Sequence, residues 1–202
     1  TDLYSMAEGA PTLDNMVYKG LPEPYAKRSV EGDLGMRYSL NSLVEESSLE
    51  WLANESGESI KNISIWTKEC IANPHIVATK DSLQEKIEGA IAKSAVKIAM
   101  ERHCGHIESV YTPVGQMYTI NGKDLTNVPL VIGVGGAIIN SPNPTKILEG
   151  VVKERNDFAY AKPKKPTMKI DSKYIFAPMG LLSAFDKESA FEILKKEIHN
   201  SI

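Results

Sequence analysis

Gly133, Gly135 and Gly136 end an apolar run that starts at Val131, and a second apolar run, Ala137 to Ile139, follows at once between the brackets of Pro129 and Pro142. An apolar run bounded by breakers reads as a buried strand. Glycines at its end let the backbone take positive φ and approach another group closely, because no Cβ intervenes. If a helix follows, its free N–H groups point back at that spot and favour an oxygen-rich or anionic ligand. The other reading is a tight strand-to-helix turn in which glycine only permits packing. The spacing is neither a Walker A loop nor a dinucleotide fingerprint. A second candidate is the turn Glu31-Gly-Asp33, whose carboxylates could hold a metal-bound phosphate or cap neighbouring N–H groups as an ordinary helix-entry turn. His103 and His106 flank a helix end, where a histidine sits favourably on the helix dipole. No carboxylate or cysteine is spaced to complete a metal site with them, and no Ser/His/Asp triad or nucleophilic cysteine stands out.

The elements that would position these residues follow from pattern. Thr1 to Met6 alternates as a short strand, 9–27 is an irregular loop or hairpin rich in proline and tyrosine, and Arg28 opens a brief strand. Leu40, Leu43, Val44, Trp51 and Leu52 recur at helical spacing over 36–54, and Ile60, Ile63, Trp66 and Ile71 over 58–72. Both tryptophans read as core. Ser82 and Glu85 form a capping box for a long helix that ends near Gly105. A hairpin over 107–120 turning around Val114-Gly115, a turn at Asn121-Gly122 and the buried strand come next. Asn143 or Thr145 caps a helix over 146–155, and Lys162 to Pro166 reads as a solvated linker. A short helix over 175–182 packs near the glycine turn. The last helix, 187–199, is capped by Asp186, with Phe191, Leu194 and Ile198 as its apolar face. The order predicts a mixed α/β (α+β) chain with at least one packed sheet. Residues 1–35 and 104–202 form a sheet subdomain, and 36–103 form an inserted helical one.

Composition sets bounds. A length of 202 residues allows one large or two small domains. The net charge of −3, with no basic block beyond 162–165, argues against nucleic acid as a partner. No apolar run reaches membrane-spanning length and no signal peptide is visible. Cys70 and Cys104 lie far apart, which fits a reducing cytoplasmic setting. Opening at Thr1, directly in a strand pattern, the sequence is expected to be a fragment or processed half of something longer.

Several segments together resemble the MutL/GlmL family, the accessory proteins of adenosylcobalamin-dependent glutamate mutase. They are Ser29-Val-Glu-Gly-Asp-Leu-Gly-Met-Arg37, Ala95-Val-Lys-Ile-Ala-Met-Glu-Arg-His103, Tyr111-Thr-Pro-Val-Gly115, Gly122-Lys-Asp-Leu-Thr-Asn127, Val131 to Ser141, Asn143-Pro-Thr-Lys-Ile-Leu148 and Met179-Gly-Leu-Leu182. They stand in family order and cover nearly the whole chain. The resemblance implies the C-terminal lobe of an actin-like, heat-shock-chaperone-like ATPase fold. On it Gly133, Gly135 and Gly136 would lie against the ribose and adenine, and Thr1 and Asp2 would be the tail of a phosphate loop whose core is not in this sequence. Glu31 and Asp33 would face the phosphates or metal, and Arg102 or Lys97 would reach the adenine pocket.

It further implies ATP and Mg²⁺ as cofactors of the intact protein, with none held tightly by this chain alone. The partners implied are a cobalamin mutase subunit and the protein's own N-terminal lobe. The function implied is ATP-dependent reactivation of a glutamate (methylaspartate) mutase. The alternatives are a small-molecule kinase of the same superfamily and a non-catalytic interaction module.

Overall fold

The computed structural model describes residues 1–113 and 115–199. Strands β1 (Asp2–Met6), β2 (Met16–Tyr18) and β3 (Ala26–Val30) lead into helices α1 (Leu40–Ser47), α2 (Leu49–Ser56), α3 (Ile60–Ala72) and α4 (Leu83–His103). Strands β4 (His106–Thr112), β5 (Gly115–Asn121) and β6 (Leu130–Gly133) follow, then α5 (Gly136–Ile139) and α6 (Pro144–Leu148). A 3₁₀ turn at Glu149–Val151, β7 (Thr167–Ile170), α7 (Phe176–Leu182) and α8 (Lys187–His199) complete the order. This is the mixed α/β chain that the pattern predicted. Val114 of the expected hairpin turn lies outside the described residues.

The strands form three small sheets. β1 and β3 pair antiparallel, with Leu3 opposite Ser29 and Ser5 opposite Lys27. β2 runs parallel to β5, which pairs antiparallel with β4. β6 and β7 are a parallel pair. Strands β2 and β7 were not expected from sequence: β2 is three residues inside a proline-rich loop, and β7 follows the supposed linker.

Helix α4 organises the packing. Its N-terminal half buries Ile87, Ala90, Ile91 and Ala95 against Leu40, Leu43, Leu52, Ile63 and Trp66 of α1–α3. Its C-terminal end turns Met100 and Cys104 into a second core with Leu125 and Val151. Each fully buried Leu or Ile contributes about 1.5–3 kcal/mol. The Ser82 half of the capping box forms as read, with Glu85 N–H donating to Ser82 Oγ. The Glu85 carboxylate, however, accepts the N–H of Asp81, one residue before the cap, at 2.8 Å, while Ser82 N–H donates to Thr79 O. The single helix expected over 36–54 is instead two, broken at Ser48. That residue takes φ 60° and accepts the Trp51 N–H on its Oγ as the cap of α2. The helix expected over 146–155 is short, with Asn143 Oδ1 capping it.

Two readings need correction. Lys162 is not part of a solvated linker: it is fully buried, its ammonium 3.2 Å from Glu101 and 3.4 Å from Asp157. Those carboxylates supply the pairing that a buried charge requires. His103 is not a charged histidine on a helix end. It is fully buried, with Nδ1 2.7 Å from Ser29 Oγ and Nε2 2.8 Å from Ser5 Oγ. Burial, with Lys27 and Lys123 nearby, pushes its pKa down to about 4.

Two tests follow. A Cβ at Gly150 would lie 2.7 Å from Lys93 O and 3.0 Å from Lys97 N, both backbone atoms of α4. Gly150→Ala should therefore lower stability to urea by about 1–3 kcal/mol, the cost of overpacking where the neighbours cannot shift. His103 stays neutral in the fold while the unfolded chain takes a proton near pH 6.5. The part of the stability that depends on His103 should then be lost as pH drops from about 6.5 to about 4, a total of about 3 kcal/mol. Urea unfolding across that range reads the slope, and His103→Asn should flatten it.

Candidate functional site

The glycine turn is built by the β6–β7 pair. Gly133 O accepts the Asp171 N–H at 2.9 Å. The buried Asp171 carboxylate then accepts the N–H groups of Ile175 and Phe176, 2.9 Å each. The turn is thereby tied to the start of α7, as the short helix expected beside it requires. The three glycines do different work. A Cβ on Gly133 would lie 2.7 Å from Leu148 Cδ2, so its bare Cα makes room for packing. Gly135 has φ 115° and ψ 149°, a region essentially closed to other residues. A Cβ there would meet nothing within 4 Å. At Gly136 a Cβ would make ordinary contact with Asn140 Nδ2 at 3.6 Å and Tyr174 Oη at 3.9 Å. Gly135 thus presents open backbone, Gly136 has side chains at contact distance, and Gly133 is tightly packed.

The chain leaving α5 forms one wall of a cleft of about 330 Å³. Ser141, Asn143 and Lys146 stand on that wall, facing Glu85, Lys86 and Gly89 from the first turns of α4. Glu55 at its edge receives Lys93 at 2.9 Å and Lys146 at 3.0 Å. Burial alone would raise the Glu55 pKa, but hydrogen bonds from the two lysines outweigh it and hold the carboxyl below the usual range. Sequence reading did not place Glu85 and Lys86 in a site. Their signal was the capping box itself, which fixes where the first turn of α4 begins. Lys97 lines a different cleft, of about 480 Å³, with Trp51 and Lys153. Its ammonium lies 2.6 Å from Glu101.

The acidic turn forms a second cluster. Arg102 Nη1 donates to Glu31 Oε2 at 2.8 Å and to both Asp33 oxygens, at 2.9 and 2.8 Å. Its Nη2 lies 3.4 Å from Glu46. The Arg102 hydrogen bond holds the Asp33 carboxyl below its ordinary pKa. Thr1 closes the turn: its backbone nitrogen donates to Glu31 O and its Oγ1 to Leu34 O. Asp2 points elsewhere, to Arg28 at 2.9 Å. The structure therefore brings together Thr1, Glu31, Asp33 and Arg102. Gly133, Gly135 and Gly136 are gathered separately. Helix α4 touches both groups, packing against α5 and carrying Arg102 near its end. Among the described residues no group of three or more His, Cys, Asp or Glu side chains could hold a metal ion, and no helix is long and apolar enough to cross a membrane.

Removing the guanidinium should let the acidic turn titrate normally. In Arg102→Met the Asp33 pKa should rise toward the ordinary aspartate value, read by carboxyl-carbon NMR titration. An unmoved Asp33 would mean that the pairing does not persist in solution.

Comparison with known proteins places this sequence in a family. The family profile described as MutL protein matches residues 1–198. Protein MutL of Clostridium tetanomorphum is 42% identical over 197 residues, covering 97% of this chain. The chain spans 42% of that protein's length. No solved structure matches it. A profile match over nearly every residue, joined to a relative of this identity, shows that the chain belongs to the MutL protein family.

Proposed function

We propose that this chain is the nucleotide-binding part of an accessory protein that reactivates an adenosylcobalamin-dependent glutamate (methylaspartate) mutase. The observation that carries the proposal is the family match across residues 1–198. The geometry supports it in two places. Gly135 offers unobstructed backbone at the turn, and the chain that leaves α5 lines a cleft of about 330 Å³, a size suited to a flat ring system. Lys86 and Lys146 supply cations at its rim. At the other cluster, Thr1, Glu31 and Asp33 provide oxygens of the kind that coordinate Mg²⁺ or accept hydrogen bonds from its waters.

On this proposal residues 1–35 and 104–202 form the sheet part of a C-terminal lobe, and 36–103 a helical insertion. MgATP would supply binding energy that differs between two lobe arrangements. Gly135 and Gly136 would seat the nucleoside, and Arg102 would hold the acidic turn in place until the rest of the protein completes the phosphate site. A mutase that binds one lobe arrangement better than the other would then be released or remodelled as nucleotide shifts the balance. Two buried, unpaired thiols fit work in the cytoplasm, where cysteines stay reduced.

The test is a calorimetric MgATP titration of a MutL protein of full family length, paired with capture of its mutase with and without nucleotide. Binding should be clear in that protein and weak in this chain alone. Gly135→Val in the longer protein should weaken it at least about tenfold, equivalent to about 1.4 kcal/mol. Mutase capture that ignores nucleotide, or a longer protein that does not bind MgATP, would remove the support for this function.

A further inference from the structure

The β6–β7 sheet is unfinished. Among the described residues β6 pairs with β7 alone. The Pro129 and Gly133 carbonyls accept N–H groups from Thr167 and Asp171, so residues 129, 131 and 133 turn their backbone toward β7. The two-residue period then turns the N–H and C=O of Leu130 and Ile132 to the opposite edge. Ile132 is half-buried, in a place where unpaired backbone groups are costly. Parallel sheets are found almost only as larger assemblies covered on both faces, and a lone pair of four-residue parallel strands falls far short of that.

The helices that follow β7 are equally uncovered. α8 touches β7 and packs on α7. Across the described side chains of α7 and α8, Ala190 alone is buried. Leu181 is 75% exposed, Phe185 91% and Phe191 64%. Leu181 and Phe185 lie four residues apart around the closing turn of α7, where Phe185 N–H donates to Leu182 O. At that spacing two residues share a side of the turn.

One occupant answers both features. The relative is more than twice as long as the stretch that matches here, since that stretch is 42% of it. We infer that the remainder of the longer MutL chain lays a strand along the free edge of β6 and covers the apolar face of α7–α8. Leu130 and Ile132 supply the hydrogen bonds of that joint, and Leu181, Phe185 and Phe191 its apolar contacts. The inference deepens the partner in the proposal above, the protein's own other lobe, and does not depend on nucleotide.

Amide hydrogen exchange tests it, run on this chain and at the matched positions of the Clostridium tetanomorphum protein. Exchange over 130–133 and 176–191 should be slower by about a hundredfold or more in the longer protein. The exposed hairpin residues 108–111 should exchange alike in both. Equal exchange at β6 and at α7–α8 would overturn the inference. So would protection that grows with the concentration of this chain alone together with a dimer in sedimentation, because the occupant would then be a second copy. No arm contains nucleotide, so a failed MgATP titration leaves this result standing, and a failure here leaves the titration standing.

Discussion

Burial of helix α4 on two sides is the constraint on which the rest of the structure depends. Its small residues, Ala90, Ala92, Ala95 and Ala99, let neighbours approach closely, and Gly150 takes the approach to its limit against the backbone at Lys93 and Lys97. A helix of 21 residues is about 31 Å long. It therefore passes from the helical core, where Ile87 and Ile91 sit with Leu52 and Trp66, to the second core of Met100, Cys104 and Val151. The cleft lined by the chain leaving α5 opens at its first turns and the acidic turn is gripped at its last. Whatever fixes α4 fixes the distance between the two.

The C-terminal end of α4 holds by polar contacts what its middle holds by packing. Arg102 and His103 are consecutive, so they leave the helix about 100° apart and serve different tasks. Arg102 reaches the carboxylates of the acidic turn, while His103 sits between Ser5 and Ser29 on facing strands. The β1–β3 pair has its own backbone ladder, but these two side chains set how it meets the helix. Lys27 adds a bond to the last helical carbonyl, that of His103, at 2.8 Å. Cys104 is enclosed in the same region, and burial pushes its thiol up to about 12, so it stays protonated.

Long periodic elements were legible in the sequence because their apolar residues recur at helical spacing, as Ile87, Ile91 and Ala95 do on α4. The helix caps at Ser82, Asn143 and Asp186 formed as read, whereas the apolar run of β6 became a strand that is only partly buried, with Leu130 46% exposed, and not the buried strand its composition predicts. What escaped was set by contacts distant in sequence. β2 is a strand only because β5 lies beside it, about a hundred residues on. Lys162 looked solvated among prolines and lysines, and only the arrival of Glu101 and Asp157 makes its burial tolerable. The glycine motif was legible as a turn, but its division of labour was not, because Leu148 decides that Gly133 is for packing. Arg102 was visible as a candidate for the adenine pocket, and the structure shows it on Glu31 and Asp33 instead.

Lys123 carries one more consequence, for the order in which the molecule assembles. Its stem packs under Gly9, and its buried ammonium donates to the carbonyls of Pro24 and Tyr25, 99 and 98 residues earlier. Asp124 next to it accepts from the N–H and hydroxyl of Thr12, 112 residues away. The loop over 9–25 thus has few local bonds of its own and borrows its anchors from the far side of the helical block. Contacts of such separation close late, because the intervening chain must be ordered before they repay its entropy. During synthesis this loop is made about a hundred residues before Lys123 and Asp124, and it finds its shape only after they arrive.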